Sequence, residues 1–252
     1  MTEPVLRTEA LSKRFGGLAA VTDVALDLRH GEVHAVIGPN GAGKTTLINL
    51  LSGDLAPSSG SILFEGKEIA GLAADRIARL GIGRSYQRTT IFRDFTAFEN
   101  CRLAAQARLA SSMRFVRPAL SERTVSDAAR GALALVGLEA AAERWASALS
   151  HGEQRQLEIA MTLATAPKVL LLDEPLAGMG AEESRRMVAL VAGLAERHAI
   201  LLVEHDMDAV FSIARRLTVM VNGRVLESGT PAAIRESPAV QEAYLGGAEA
   251  LP

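Results

Sequence analysis

Alternating apolar and polar residues over positions 4–32 predict antiparallel strands at the N-terminal end of the chain. Residues 58–69 have a similar pattern and predict a hairpin. Between them, residues 33–37, which are apolar except for His34, predict a buried strand. Residues 44–51 have the character of a helix that ends near Gly53. Antiparallel strands therefore accompany one buried strand that leads into a helix.

The middle of the chain, from about residue 96 to 164, shows helical spacing of apolar residues and no strand pattern. Buried-strand patterns return at residues 169–172, 200–203 and 217–221. A helical pattern over residues 181–198 separates the first two of these strands, which predicts a parallel strand–helix–strand unit. We therefore expect an all-helical insertion carried on an α/β core.

The expected architecture is one α/β domain, residues 1–252. Its core comprises residues 1–95 and 165–235 and combines a mainly parallel sheet with an N-terminal antiparallel β subdomain. A helical subdomain is expected over 96–164, and a helical tail over 236–252. Two hydroxyl–proline pairs near the C-terminus each place a capping side chain before a proline, so two short helices should close the chain.

The composition excludes several kinds of protein. The 252 residues are 48% hydrophobic, which is ample for a core, and the net charge of −2 provides no basic field for nucleic acid. Cys101 is the single cysteine, so an internal disulfide and a cysteine-based zinc site are excluded. No segment approaches the ~20 apolar residues that span a bilayer, and the N-terminus lacks a secretion-signal pattern. We expect a soluble, cytosolic protein that reaches a membrane only through a partner.

The octapeptide at residues 38–45 fits the pattern G-x-x-x-x-G-K-[ST] at every position and lies between the predicted buried strand and helix. This context places backbone N–H groups at a helix N-terminus, where they can bind a polyphosphate. Lys44 is expected to reach the β- and γ-phosphates, and the Thr45 hydroxyl to ligate Mg²⁺. The alternative, a chance glycine-rich turn, is disfavoured by that context. The predicted nucleotide-binding residues here are Gly38, Pro39, Asn40, Gly41, Ala42, Gly43, Lys44, Thr45 and Thr46.

Two carboxylates, Asp173 and Glu174, follow the apolar strand pattern at 169–172. Charge at the carboxyl end of a buried parallel strand lies where such sheets bind ligands. Asp173 is expected to hold Mg²⁺ through water, and Glu174 to polarise a water in line with the γ-phosphate. Taken alone, the pair would favour a solvated strand-to-loop junction, and the phosphate loop upstream reverses that preference. The helical insertion accounts for the long separation between these acids and Lys44.

Ser150 and Glu153 form a capping-box pattern, which predicts the start of a helix and taken alone indicates only a well-capped one. The order of parts is a phosphate loop, a helical insertion, Leu-Ser-His-Gly-Glu at 149–153 opening a helix, and an apolar strand with Asp-Glu. Over nearly the whole chain this order resembles the ATP-binding subunit of ABC transporters, and residues 149–153 resemble its signature motif. His151 and Glu153 differ from the glycine and glutamine that are commonest there. The resemblance implies a P-loop NTPase fold of the ABC ATPase type.

Further site residues follow from this resemblance alone. Phe15 corresponds to the aromatic residue that stacks on adenine, Gln87 to the glutamine that contacts Mg²⁺ and the attacking water, and His205 to the histidine that contacts the γ-phosphate. Without the resemblance, a core phenylalanine, a surface glutamine and a structural histidine would be the simpler interpretations. Residues 176–180 match the dimer-contacting loop, in which Gly180 stands where many relatives have aspartate.

The resemblance also implies an assembly. Two ATP-binding subunits, identical or related, would enclose two ATP molecules with Mg²⁺, each nucleotide held by one phosphate loop and capped by Ser150, Gly152 and Glu153 of the other subunit. The catalytic residues would be Glu174, His205, Gln87 and Lys44. The helical subdomain would dock on transmembrane permease subunits, with a substrate-binding protein as a further partner and no nucleic acid. This places the chain at the cytoplasmic face of the inner (plasma) membrane.

Several segments are typical of the branched-chain amino-acid importer branch, which includes urea and amide importers: residues 14–17, 177–179, 203–207 and 242–246. Lipopolysaccharide-export ATPases resemble the same branch, so import and export both remain open. Five arginines near the helical subdomain are candidates for contact with acidic permease groups or lipid headgroups, or for a solvated basic face. These are Arg84, Arg88, Arg93, Arg114 and Arg117.

Two other classes compete with a transport ATPase. A soluble ABC-type ATPase that acts on ribosomes or DNA usually has two cassettes in one chain or a long coiled coil, and this sequence shows neither. An unrelated P-loop kinase would have no use for the signature helix. The transported cargo is not encoded here, because in this architecture the cargo does not touch the ATPase.

Overall fold

The computed structural model describes residues 3–86, 90–107 and 123–245. The described strands are β1 (Leu6–Phe15), β2 (Leu18–Leu28), β3 (Val33–Ile37), β4 (Ser59–Phe64), β5 (Lys67–Glu68), β6 (Ile82–Ser85), β7 (Val169–Asp173), β8 (Ala199–Val203), β9 (Arg216–Val221) and β10 (Arg224–Gly229). The described α-helices are α1 (Lys44–Leu51), α2 (Ala74–Leu80), α3 (Ala97–Gln106), α4 (Arg123–Leu135), α5 (His151–Ala164), α6 (Ala181–Ala195), α7 (Met207–Ile213), α8 (Pro231–Glu236) and α9 (Pro238–Leu245).

The N-terminal strands form an antiparallel sheet in the order β2–β1–β4–β5. β1 pairs with β2 on one side and with β4 on the other. Apolar residues such as Leu6, Leu11 and Ile62 are fully buried on its inner face. The antiparallel strands and the hairpin predicted from alternation are therefore confirmed.

The second sheet has the order β10–β9–β3–β8–β7–β6, and only its edge pair, β9 with β10, is antiparallel. Every residue of β3, β7 and β8 is buried, which explains why these strands are apolar apart from His34 and Asp173. β7, α6 and β8 form the predicted parallel unit, although α6 ends at Ala195 rather than near residue 198. The α/β class with a mainly parallel sheet is confirmed.

The parallel sheet separates two apolar cores. Alternate residues of β7 belong to different cores: Leu170 and Leu172 pack on the side of the helical subdomain, whereas Val169 and Leu171 pack toward α1 and the antiparallel sheet. Full burial of each such side chain contributes about 1.5–3 kcal/mol. The strands that carry the loops of the candidate site are therefore fixed from both faces.

The described part of the middle segment is helical, as predicted. α3, α4 and α5 pack together, and Cys101 of α3 is buried among them. Both α3 and α5 begin with a complete capping box, formed by Thr96 with Glu99 and by Ser150 with Glu153. Within the described ranges, no helix combines the length and apolar character needed to cross a bilayer.

Three elements were missed from the sequence. β6 contains glycine and arginine rather than an apolar run, and the residues of β10 alternate between exposed and partly buried. α7 is only seven residues long and has an Asp206 N-cap instead of a long apolar periodicity. Each of these elements is held by its neighbours in the fold rather than by a strong local pattern.

His34 in β3 is a buried histidine that the fold keeps neutral. Its Nδ1 lies 3.0 Å from the Asp27 carbonyl oxygen and its Nε2 lies 2.8 Å from Thr218 Oγ1. Burial is the main cause that lowers the pKa of His34 to about 4. Because the folded pKa lies below the unfolded value of about 6.5, this residue's contribution to stability is complete above pH 6.5 and is lost as the pH falls toward 4.

We predict that protonation of His34 in the unfolded chain lowers the free energy of unfolding by about 2 kcal/mol as the pH falls from 7 to 5. The measurement is urea unfolding of the parent and of His34→Gln at several pH values. Between pH 7 and pH 5, the free energy of unfolding of the parent should fall by this much more than that of the variant. Parallel curves would show that His34 is not kept neutral by the fold.

Candidate functional site

The phosphate loop joins β3 to α1, and two of its glycines have no room for a side chain. Gly38 has φ +150°, and a Cβ built on it would lie 2.1 Å from the Met220 carbonyl oxygen. Gly43 has φ +98°, and its Cβ would lie 2.4 Å from the Ala20 carbonyl oxygen. Both obstacles are backbone atoms, so neither can yield by a rotamer change. The glycines of the motif are required by the packing behind the loop as well as by ligand approach.

Lys44, the first residue of α1, is held across the loop. Its Nζ donates hydrogen bonds to the carbonyl oxygens of Gly38 (2.6 Å) and Pro39 (3.1 Å). No side chain caps this end of α1 and its first turn contains no acidic residue. The helix therefore presents N–H groups and a cation at one point, which is an arrangement suited to a polyphosphate.

A cleft of about 450 Å³ opens over the loop and brings together several predicted site residues. Phe15 stands at its wall with 46% of its surface exposed, so the alternative interpretation as a core phenylalanine is excluded. Glu174 lines the same cleft. The other lining residues are Leu18, Ala19, Ala20, Asn40, Gly41, Ala42, Gly43, Lys44, Thr45, Thr46, Asn222 and Gly223.

The turn at Asn222 and Gly223 supports the phosphate loop and was not found from the sequence. Gly223 donates its N–H to the Ala42 carbonyl oxygen (3.0 Å) and accepts from the Thr22 N–H (2.7 Å). Both turn residues have φ near +50° to +77°. An Asn-Gly pair between two strands is a strong hairpin signal, and it was missed because β10 was not recognised as a strand.

Asp173 ends β7 and is 1% exposed. Its Oδ2 accepts a hydrogen bond from Arg84 Nη2 at 3.3 Å, whereas its Oδ1 is buried and has no partner among the described residues. Burial raises the pKa of Asp173, the charge of Glu174 raises it further, and the Arg84 guanidinium opposes both. A buried carboxylate oxygen without a partner fits a group that binds the water shell of a metal ion.

The residues of this site fit a metal ion that is bound together with a nucleotide. Among the residues that the structure describes, no cluster of three or more His, Cys, Asp or Glu side chains could hold a metal. Mg²⁺ commonly takes one or two protein ligands and completes its shell with water and phosphate oxygens. Thr45 and Asp173 are the described residues that suit this role. Gln87, the third predicted metal ligand, lies outside the described residues.

Glu174 has an unusual backbone for a carboxylate residue, with φ +50°. Its N–H donates to the Val203 carbonyl oxygen (2.9 Å), and its carbonyl oxygen accepts from the Ala177 N–H (3.2 Å). Left-handed backbone at a non-glycine residue costs about 1–2 kcal/mol and persists where the surroundings enforce it. Its Oε1 lies 3.8 Å from Nδ1 of His205, which is largely exposed. The predicted base, which lines the cleft, and the predicted histidine are thus neighbours.

A third carboxylate, Glu204, connects the two loops that carry these residues. Its Oε1 accepts from the Leu176 N–H (2.8 Å), and its Oε2 accepts from the His205 N–H (3.0 Å). Burial raises the pKa of Glu204, and the N–H donors act in the opposite direction. Because these partners are donors, they favour the carboxylate form. Glu204 was not predicted as a site residue, and the signal that could have identified it is a carboxylate directly after the buried strand pattern at 200–203.

The predicted signature residues stand at the start of α5. Ser150 Oγ accepts from the Glu153 N–H (3.2 Å), and Glu153 Oε2 accepts from the Ser150 N–H (2.7 Å). This bond from Ser150 is the main cause that lowers the pKa of Glu153, and Arg144, 2.8 Å from Glu153 Oε1, adds to it. A Cβ on Gly152 would lie 2.6 Å from Glu183 Oε1, so α6 packs closely on this turn.

The structure does not bring the signature residues to the phosphate loop of the same chain. Ser150, Gly152 and Glu153 line a small cavity of about 50 Å³ with residues of α5, α6 and the loop before α6. That cavity has no lining residue in common with the cleft over the phosphate loop. One chain therefore holds two separate parts of the predicted site.

Two models of known families match parts of the chain. The family model described as "ABC transporter" matches residues 21–177, and the model described as "Branched-chain amino acid ATP-binding cassette transporter" matches residues 224–250. The first match includes the phosphate loop, the signature residues and both carboxylates of β7. The second covers the C-terminal segment from β10 onward.

Two curated relatives are similar over their whole length. The high-affinity branched-chain amino acid transport ATP-binding protein LivG of Salmonella typhimurium is 41% identical, over 98% of this chain and 100% of the relative. The corresponding protein BraF of Pseudomonas aeruginosa is 42% identical with the same coverage. Among solved structures, the ADP conformation of MJ1267, an ATP-binding cassette of an ABC transporter, is 30% identical with a TM-score of 0.85. That comparison covers 97% of this chain and 100% of the other.

Gly43→Ala and Gly41→Ala form a matched pair that tests the packing behind the loop. Both glycines have positive φ, but a Cβ on Gly41 meets nothing within 4 Å. Each alanine should cost about 1–2 kcal/mol of strain, and Gly43→Ala about 1–3 kcal/mol more from the clash with the Ala20 carbonyl. Urea unfolding without nucleotide measures the difference. Equal stability of the two variants would contradict this account.

Proposed function

The chain belongs to the ATP-binding subunits of ABC transporters, and from this premise we propose that it powers a membrane importer of branched-chain or related amino acids. Two ATP-binding subunits would close around two ATP molecules and transmit that closure to a separate permease. The observation that carries the proposal is the division of the site. The phosphate loop and Glu174 share one cleft, whereas the signature residues lie apart and need a second chain to meet a nucleotide.

ATP binding is supported by the described geometry of the cleft. Phe15 offers an exposed ring for the adenine, and the N–H groups of residues 40–46 would bind the phosphates, with Lys44 as their counter-charge. Thr45 and Asp173 would hold Mg²⁺, with Gln87 as the predicted third contact. When bound, Mg²⁺ neutralises charge on the β- and γ-phosphate oxygens.

Glu174 is proposed to act on the attacking water. Its carboxylate would accept a proton as the water oxygen bonds to the γ-phosphorus and the bond from that phosphorus to the bridging oxygen of ADP breaks. His205 would donate a hydrogen bond to the γ-phosphate, and Lys44 would stabilise the charge on its oxygens. The bonds of Glu204 to both loops would hold Glu174 and His205 in fixed positions relative to each other.

The second subunit would supply the other side of each site. α5 begins at the signature residues, so its N-terminal N–H groups and the Ser150 hydroxyl would face the partner's γ-phosphate. Gly152 and Glu153 belong to the same turn. Since the γ-phosphate would then join the two chains, hydrolysis would remove the contact and allow the dimer to open.

The helical subdomain is proposed to bind the permease, which would hold the chain at the cytoplasmic face of the membrane. A substrate-binding protein is the expected third component. The C-terminal match at residues 224–250 favours import of branched-chain amino acids over the lipopolysaccharide-export alternative. The whole-length similarity to LivG and BraF points in the same direction.

Glu174→Gln should bind ATP, lower the hydrolysis rate by about 10²- to 10⁴-fold and accumulate as an ATP-bound dimer, because the amide cannot accept the proton. Steady-state phosphate release measures the rate, and size-exclusion chromatography with ATP measures the dimer. Glu196→Gln, on an exposed residue at the end of α6, is the matched control and should behave as the parent.

The same pair of variants tests the transport function. In vesicles that contain the purified complex with its permease, the parent and the control should drive ATP-dependent uptake of leucine, and Glu174→Gln should not. Hydrolysis by Glu174→Gln at the parent's rate would remove Glu174 from its proposed role. A complex that hydrolyses ATP but takes up none of the branched-chain amino acids would overturn the cargo assignment.

A further inference from the structure

Arg84 lies in the middle of β6, and its side chain is only 8% exposed. Its Nη1 is within hydrogen-bond distance of Asn49 Oδ1 (2.6 Å), Ser52 Oγ (2.9 Å) and Asp54 Oδ2 (2.7 Å). Its Nη2 donates to Asp173 Oδ2 (3.3 Å). One guanidinium therefore joins the C-terminal end of α1 to the carboxylate at the end of β7.

This placement corrects the expectation that Arg84 belongs to a basic surface. Neither a permease or lipid contact nor a solvated basic face fits a side chain that is 8% exposed and is bound by Asn49, Ser52 and Asp173 of the nucleotide-binding core. Arg93 is exposed, as either expectation required. Arg88, Arg114 and Arg117 lie outside the described residues. Arg84 is buried because its strand runs alongside β7 and its side chain projects toward α1.

A buried ion pair is weak evidence of a role in stability alone. Moving a guanidinium out of water costs several kcal/mol, and well-packed apolar residues often serve stability equally well. An apolar side chain, however, cannot fix the orientation of a carboxylate. Arg84 occupies Oδ2 of Asp173 and leaves Oδ1 without a partner among the described residues. The planar fork sets which oxygen is held and which remains available.

Arg84 also touches the segment that leads toward Gln87. Its guanidinium carbon lies 4.6 Å from the centre of the Tyr86 ring, within the range of a cation–π contact. α1 begins at Lys44, and Arg84 binds the other end of the same helix. A shift of α1 would therefore move the Arg84 side chain and, with it, the carboxylate of Asp173.

We propose that Arg84 is a positioning residue of the nucleotide site, which fixes Asp173 relative to α1 so that Oδ1 stays available to the hydrated Mg²⁺ of the bound nucleotide. This inference rests on the proposed ATPase function. Arg84 does not line the cleft over the phosphate loop, and it would act through Asp173. Residues that orient a metal-binding group from behind typically change metal affinity or activity by 10- to 100-fold when they are replaced.

The test compares Arg84→Lys and Arg84→Gln with Arg79→Gln, a control at an exposed arginine of α2 that pairs only with Asp75 among the described residues. Binding of a fluorescent ATP analogue is measured in EDTA and then across a Mg²⁺ titration, and Mn²⁺ bound with ATP is followed by electron paramagnetic resonance. Both Arg84 variants should need about 10- to 100-fold more metal for half-saturation while their affinity in EDTA is unchanged. The control should match the parent.

The Asp54→Asn variant tests whether a loss of folding, and not a loss of positioning, explains the effect. It removes the negative charge from one partner of Arg84 without touching Asp173, and it should raise the half-saturating metal concentration by a smaller factor than the Arg84 variants do. If the variants lose only thermal stability and keep the parent's Mg²⁺ dependence and Mn²⁺ spectrum, the positioning role is wrong. If the parent itself shows no Mg²⁺-dependent ATP binding, the proposed function fails instead.

Discussion

The position of the phosphate loop, and with it the candidate nucleotide site, depends on close packing behind the loop. Carbonyl oxygens of Met220, in the parallel sheet, and Ala20, in the antiparallel sheet, stand where side chains at positions 38 and 43 would be. The loop is thus held by both sheets at once, and its backbone N–H groups are left to face a ligand. Any change in the angle between the sheets would move the loop, so the antiparallel subdomain has a direct part in building the site.

The carboxyl ends of the parallel strands carry three acids in three different settings. Asp173 is held by Arg84 through one oxygen and has the other unpaired among the described residues. Glu174 lies in a left-handed turn beside the cleft. Glu204 is satisfied by backbone N–H groups of two loops. Because burial must be compensated differently at each site, one acid is suited to metal binding, one to proton transfer and one to holding loops.

Local patterns predicted the long elements well, because β3, β7 and β8 are buried on both faces and α5 has a complete capping box. They failed for β6 and β10, whose residues are fixed by neighbouring strands. Contiguous motifs likewise predicted the loop between β3 and α1, the helix start at Ser150 and the two acids at the end of β7, Asp173 and Glu174. The contacts of Arg84 with Asp173, and of Glu204 with Leu176, join residues 89 and 28 positions apart, and no local spacing encodes such pairs.

In the proposed dimer, each nucleotide lies between the phosphate loop of one chain and the signature helix of another. Disulfide formation between two separately prepared variants tests it most directly, Asn40→Cys in one chain and Ser150→Cys in the other, both with Glu174→Gln. Cys101, the single native cysteine, is buried and should not compete. We expect a cross-linked pair that forms with ATP and is absent without nucleotide. If no cross-link forms with ATP, or if the yield is equal without it, the two chains do not share the nucleotide site in this way.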